Sequence, residues 1–158
     1  MRAPLRVVFD CNVYFQALIG RTGPASRCVE SVMLGKVALS CSEQTIEELL
    51  GVCSRDDLRV RFRYTDEEIG SLVRNIRLSA EFFESIPDRY VLAADASDSH
   101  YVNLALEARA RLVVSRDRDL LRLMDVARPE GREFRSSFPH LEIVDPPAML
   151  RLVQEMDD

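Results

Sequence analysis

The stretch Leu5-Arg6-Val7-Val8-Phe9-Asp10 decides how this chain is read. A half-exposed strand would alternate apolar and polar side chains. Val7, Val8 and Phe9 instead follow one another without a break, the pattern of a strand buried on both faces. Asp10 ends the run, which sets a carboxylate at the strand's C-terminal edge.

Working outward, residues 12–19 read as a helix that residues 20–23, bounded by Gly20 and Gly23, interrupt. Pro24 suits the first turn of a second helix reaching Leu34 and closed by Gly35. Residues 37–40 form the next short strand, and Ser42 caps a helix whose buried stripe is Ile46, Leu49, Leu50 and Cys53. Residues 55–63 are charge-rich and carry no clear assignment. Thr65 followed by Glu68 is a capping-box pattern, opening a helix with Ile69, Leu72, Val73, Ile76 and Leu78. Residues 82–86 read as a strand ended by Pro87, residues 95–99 as a polar turn, and residues 101–108 as a helix. A buried strand over 112–115 and a short helix over 117–124 follow. Residues 128–139 read as a polar loop, residues 141–144 as the last strand, and Asp145-Pro146-Pro147 as the start of a terminal helix.

Strands separated by helices require parallel crossovers, so the expected architecture is a three-layer α/β/α sandwich with a mostly parallel central sheet. A length of 158 residues suits one domain over 1–158, and no Pro/Gly/Ser-rich linker or internal repeat divides it. No stretch approaches the roughly 20 apolar residues that cross a bilayer, and the segment before Asp10 is too short for a signal peptide. The expected location is the cytoplasm, away from membranes. Cys11, Cys28, Cys41 and Cys53 form no CxxC pair and stand among apolar neighbours, so they read as small buried hydrophobes in a reducing compartment. A net charge of −5 argues against a protein that coats nucleic acid indiscriminately. Nearly all positive charge is nevertheless arginine, with Lys36 the single lysine. The guanidinium fork pairs with phosphate in bidentate fashion.

Ligands of open α/β sheets bind beyond the carboxyl ends of the strands. Asp10 falls there, Asp117 falls two residues beyond the 112–115 strand, and Asp98 opens the helix leading into that strand. Glu48 lies one and a half turns into the helix after the second strand, placed to supply a fourth acid. Carboxylates gathered this closely repel one another unless a cation neutralises them. Hard oxygen ligands without a Cys/His cluster suit Mg²⁺ or Mn²⁺. Such a site polarises a phosphoryl oxygen and activates water, so phosphodiester hydrolysis is the expected reaction. Asp10, Asp98 and Asp117 are the expected main ligands. Glu48 reaches the ion directly or through water and accepts a proton from the nucleophile.

Four strings carry a family likeness: Val8-Phe9-Asp10-Cys11-Asn12-Val13; residues 42–50 with Glu48; Asp95-Ala96-Ser97-Asp98 before Tyr101-Val102-Asn103-Leu104-Ala105; and Val113-Val114-Ser115-Arg116-Asp117-Arg118-Asp119-Leu120-Leu121. In this order and spacing the chain resembles PIN domains, and is most similar to members that serve as toxins of toxin–antitoxin modules. The resemblance implies that Asp10, Glu48, Asp98 and Asp117 form the acidic quartet, that Asn12 and Ser115 orient it, and that Asp119 is an additional acid. It also implies Mg²⁺- or Mn²⁺-dependent ribonuclease activity on RNA, a homodimer and a small antitoxin partner. Three positions depart from the family pattern. Cys11 replaces a common threonine, the lead-in to Asp98 is shortened, and Arg116 stands where a small residue is usual. Arg116 either contacts substrate phosphate or occupies the metal space.

Two other readings stay open. A haloacid-dehalogenase-like phosphatase also begins with a strand ending in Asp, but it needs a second Asp where Asn12 stands and a downstream lysine, and Lys36 lies in the wrong region. A catalytically weak PIN fold acting as an RNA- or protein-binding module would keep the architecture and lose the chemistry. His100 and His140 are isolated in sequence and read as ordinary surface or core residues.

Overall fold

The structure is a computed structural model that describes residues 3–93 and 95–158. Strand β1, Leu5–Phe9, runs into helix α1, Cys11–Gly20, and a short turn leads to α2, Pro24–Met33. Strand β2, Val37–Cys41, is followed by α3 (Glu43–Cys53), α4 (Asp56–Phe62) and α5 (Asp66–Ser79). Strand β3 is only Glu81–Phe82. A 3₁₀ turn at Ala96–Asp98 opens α6, Ser99–Ala108, which leads into β4, Leu112–Val114. Helix α7 (Arg118–Leu121), a 3₁₀ turn at Arg122–Met124, α8 (Pro129–Ser137), β5 (Glu142–Val144) and α9 (Pro146–Asp157) complete the order.

The strands form one all-parallel sheet in the order β3-β2-β1-β4-β5. Consecutive residues of β1 feed different cores, as its unbroken apolar run requires. Val7 and Phe9 pack with Leu112, Val114 and the apolar stripes of α1, α2, α3, α5 and α9. Val8 packs on the other face with Val113, Ile143, Leu104 of α6, Leu120 of α7 and Phe134 of α8. Both faces are therefore covered, and the expected α/β/α sandwich is present.

Local chemistry sets the element boundaries. Ser42 and Thr65 accept hydrogen bonds from the backbone N–H groups of Thr45 and Glu68, and the Thr65–Glu68 capping box is complete. Gly35 closes α2 with φ +73, where a side chain would be strained. Cys28, Cys41 and Cys53 are buried free thiols, and Cys11 is partly buried.

Three expectations need correction. Residues 129–137 form α8 instead of a loop. Phe134 is its single large apolar residue, too little to show a helical period, and Pro129 starts the first turn. Gly131 lets that helix lie directly on the Asp125 carbonyl, which a Cβ would strike at 2.0 Å. The strand expected over 82–86 pairs only through Glu81 and Phe82, at the sheet's edge. Leu50 and Leu78 face solvent instead of joining the core.

Candidate active site

Strands β1 and β4 are neighbours in register, with Val7, Val8 and Phe9 opposite Leu112, Val113 and Val114. From β1 the chain proceeds to β2 on one side, while β4 lies on the other. This reversal opens a crevice at the carboxyl edge, where the loops diverge. Asp10 and Ser115 are the first residues beyond the two paired strands, so they face each other across it.

Asp10 is nearly fully buried, yet both its oxygens are used. Oδ1 accepts the Val13 N–H at 2.9 Å, capping α1, and Oδ2 accepts a short hydrogen bond from the Ser115 hydroxyl. Ser115 Oγ in turn accepts the Asp117 N–H at 2.9 Å. Asp117 Oδ1 then accepts the N–H groups of Asp119 and Leu120, at 2.8 and 3.3 Å, and so caps α7. One hydroxyl thus ties the acid after β1 to the loop carrying the acid after β4. Burial pushes the Asp10 carboxyl above its ordinary value against the bonds from Ser115 and Val13, and the Asp117 charge adds to the rise.

Asp98 sits half-buried at the mouth of α6. Its pKa is pushed up to about 6, first by burial and then by the charges of Asp95, Asp117, Asp10 and Glu48. The charges of Asp10, Glu48 and Asp117 are thus felt at Asp98. Asp95 is occupied locally, accepting from the N–H and hydroxyl of Ser97 at 3.0 and 2.5 Å.

Glu48 projects from α3 toward α6. Its Oε1 lies 2.8 Å from His100 Nε2 and its Oε2 accepts the Tyr101 hydroxyl at 2.5 Å. Tyr101 also accepts the Cys11 N–H at 3.1 Å, one of the free donors at the start of α1. Burial raises the Glu48 pKa, but the bonds from His100 and Tyr101 outweigh it and leave the carboxyl below its ordinary value. The ionised carboxylate assigns Nε2–H as the donor in the His100 contact. His100 Nδ1 is buried without a partner among the described residues.

The remaining expected residues lie close by with different contacts. Among the described residues, the exposed Asn12 side chain hydrogen-bonds only with Cys11 Sγ, at 4.0 Å, and with no quartet carboxylate. Asp119 pairs loosely with Arg122 at 3.6 Å. Arg116 is exposed and makes no described ion pair with Asp10, Asp98 or Asp117, so its head group does not lock the acids together. Sequence reasoning missed His100 and Tyr101. Their one available signal was position, directly after Asp98 at the start of a helix, but the partner lies 52 residues away.

Among the described residues, no three His, Cys, Asp or Glu side chains are disposed to hold one ion directly. The donor chemistry nonetheless fits Mg²⁺ or Mn²⁺. These ions usually keep several waters and take only one or two protein carboxylates directly. Asp98 makes no described side-chain hydrogen bond, and Asp117 has one oxygen outside the α7 cap, so each has an oxygen available to a ligand.

An uncharacterized protein of Methanocaldococcus jannaschii is 24% identical over 143 residues, covering 90% of this chain and 87% of that protein. A family profile for the PIN domain matches residues 6–119, a span from β1 through Asp119 that contains all four acids. The chain therefore belongs to the PIN domain family.

Proposed function

We propose that this chain is a Mg²⁺- or Mn²⁺-dependent endoribonuclease that hydrolyses RNA phosphodiester bonds at the edge formed by Asp10, Glu48, Asp98 and Asp117. The observation that carries the reading is the Asp10–Ser115–Asp117 hydrogen-bond chain across the β1–β4 crevice, with Asp98 beside it raised first by burial and then by the charges around it. A structural role alone would favour neutral or paired side chains there, because unneutralised buried carboxylates are costly.

Asp10, Asp98 and Asp117 would hold the ion, directly or through its retained waters. When bound, it supplies Lewis-acid polarisation of a phosphoryl oxygen and a more acidic water for in-line attack. Ser115 holds Asp10 with its carboxylate toward the crevice, and the cap at α7 fixes one oxygen of Asp117 while leaving the other available. Glu48, ionised and oriented by His100 and Tyr101, is placed to accept a proton through water. Residues 1–158 act as a single nuclease domain in this reading. Toxin function in the cytoplasm, a homodimer and a small antitoxin partner rest on the likeness of the four motifs to toxin-type PIN domains.

Incubation with single-stranded and structured RNA tests the activity. Cleavage should stop in EDTA, return with excess Mn²⁺, and be lost in Asp10→Asn and Asp117→Asn. Stable, folded protein that binds RNA without cutting it under any metal condition would favour a non-catalytic binding module.

A further inference from the structure

Beside the carboxylate edge lies a cleft of about 520 Å³, walled by Asn12, Phe15 and Gln16 of α1 and by the loop and helix that follow Ser115. Arg116, Asp117, Arg118 and Asp119 alternate in charge, and the fold separates the two signs. Asp117 turns inward to cap α7, whereas Arg116 and Arg118 are exposed and their side chains take no part in any described ion pair or hydrogen bond. Arg122 joins them on the cleft wall, and its contact with Asp119 is long and solvent-exposed, so it contributes little. Elsewhere Arg77, Arg89 and Arg59 are each matched to a carboxylate at 2.5 to 2.7 Å. What sets Arg116 and Arg118 apart from other unpaired arginines is their place on the wall of a cleft beside Asp117, where their guanidinium groups are free to take an anionic ligand.

We propose that this cleft binds the sugar–phosphate backbone of single-stranded RNA next to the bond being cut, with Arg116 and Arg118 each pairing with a phosphate and Arg122 extending the track. Naming RNA as the polyanion rests on the ribonuclease reading. The protein's net charge of −5 gives no general attraction for nucleic acid, so phosphate capture depends on such a local basic wall. Asp119 and Arg122 also line the adjoining groove between residues 89–93 and α8. That second wall is firmly anchored, because Asn103 accepts the N–H groups of Arg89 and Tyr90 at 2.8 and 2.9 Å and Ser99 accepts that of Leu92 at 2.7 Å. Arginine suits the task because its planar fork engages phosphate in bidentate fashion.

The test is fluorescence anisotropy of a labelled single-stranded RNA across a series of KCl concentrations, in EDTA and in an Asp98→Asn background so that no strand is cut. Each phosphate contact on a single strand contributes about 0.7 to the slope of log affinity against log salt. Arg116→Gln/Arg118→Gln should lower that slope by about 1.4. Arg109→Gln/Arg111→Gln, at the opposite end of β4, should leave it unchanged. Equal loss of slope in both double variants, no loss in either, or no binding by the parent protein overturns the cleft. Mn²⁺-dependent cleavage of the same RNA by the wild-type protein separates the two readings. Cleavage with an unchanged slope rejects the cleft alone, and a reduced slope without cleavage rejects the nuclease alone.

Discussion

His100 Nε2 lies 2.8 Å from Glu48 Oε1, so the direction of an acid on α3 is set by the first turn of α6. Tyr101 holds the other oxygen, and its ring lies tilted by 40° against the imidazole with centroids 3.9 Å apart. This pair fixes Glu48 against α6, whereas its neighbour Glu47 points from α3 into solvent. Removing the pair should disturb orientation more than substrate binding. His100→Ala is expected to lower kcat about tenfold, the usual effect of losing a partner that orients a metal-site group. KM should change little. His100→Gln, which restores a donor, should recover much of the rate. Steady-state kinetics on a defined RNA would show the split, and an unchanged kcat in His100→Ala would remove Glu48 orientation from the account.

Ser115 carries the connection between the two strand ends. Ser115→Ala removes a donor to buried Asp10 and an acceptor from the Asp117 N–H at once. Leaving buried polar groups without partners costs about 2 kcal/mol, which for a chain of this size lowers Tm by about 4–8 °C. Thermal unfolding followed by circular dichroism measures this. A shift below one degree would mean that water replaces the hydroxyl.

The Asp98 carboxyl links stability to pH. Its folded value of about 6 stands above the ordinary 3.8 because of burial and the charges of Asp95, Asp117, Asp10 and Glu48. The folded state therefore keeps this proton where the unfolded state has lost it. The metal-free protein should lose stability as pH rises from about 4 through 6. The effect, discounted for partial solvent screening, is about 1 kcal/mol. Asp98→Asn should consequently raise the metal-free Tm at neutral pH by about 2–4 °C while abolishing cleavage. Mn²⁺ should stabilise the wild-type protein and not this variant. A lower Tm in Asp98→Asn would contradict the repulsion argument.

Gly131 tests the packing of α8 away from the site. A Cβ there would meet the Asp125 carbonyl oxygen at 2.0 Å, a contact with backbone that no side-chain rotation relieves. Gly131→Ala is expected to destabilise by about 3 kcal/mol despite alanine's better helix propensity. Denaturant unfolding at constant m-value measures it.

The sequence displayed those parts of the fold whose signals are local. The run to Phe9, the caps at Ser42 and Thr65, and Pro24 with Gly35 each declare their own backbone geometry. The acids Asp10, Asp98 and Asp117 were readable as residues at strand ends and helix starts. Features that depend on distant partners were silent. Helix α8 is held by Phe134 in a core built from other segments and by the approach of Gly131 to Asp125, so its own residues read as polar loop. His100 carried no mark because its partner arrives from α3, and Leu50 looked like core until the stripe's orientation was fixed by Ile46 and Leu49. The Asn12 side chain, expected among the groups that orient the acids, is exposed and lines the cleft that also holds Asp117.

Calorimetric titration of the metal-free protein with Mn²⁺ tests most directly whether these acids form a cation site. Saturable binding to the wild-type protein, lost in Asp10→Asn and in Asp117→Asn while both variants keep the wild-type circular dichroism spectrum, is the predicted result. Heat of binding that survives both substitutions, or a folded wild-type protein that binds no Mn²⁺, would contradict it.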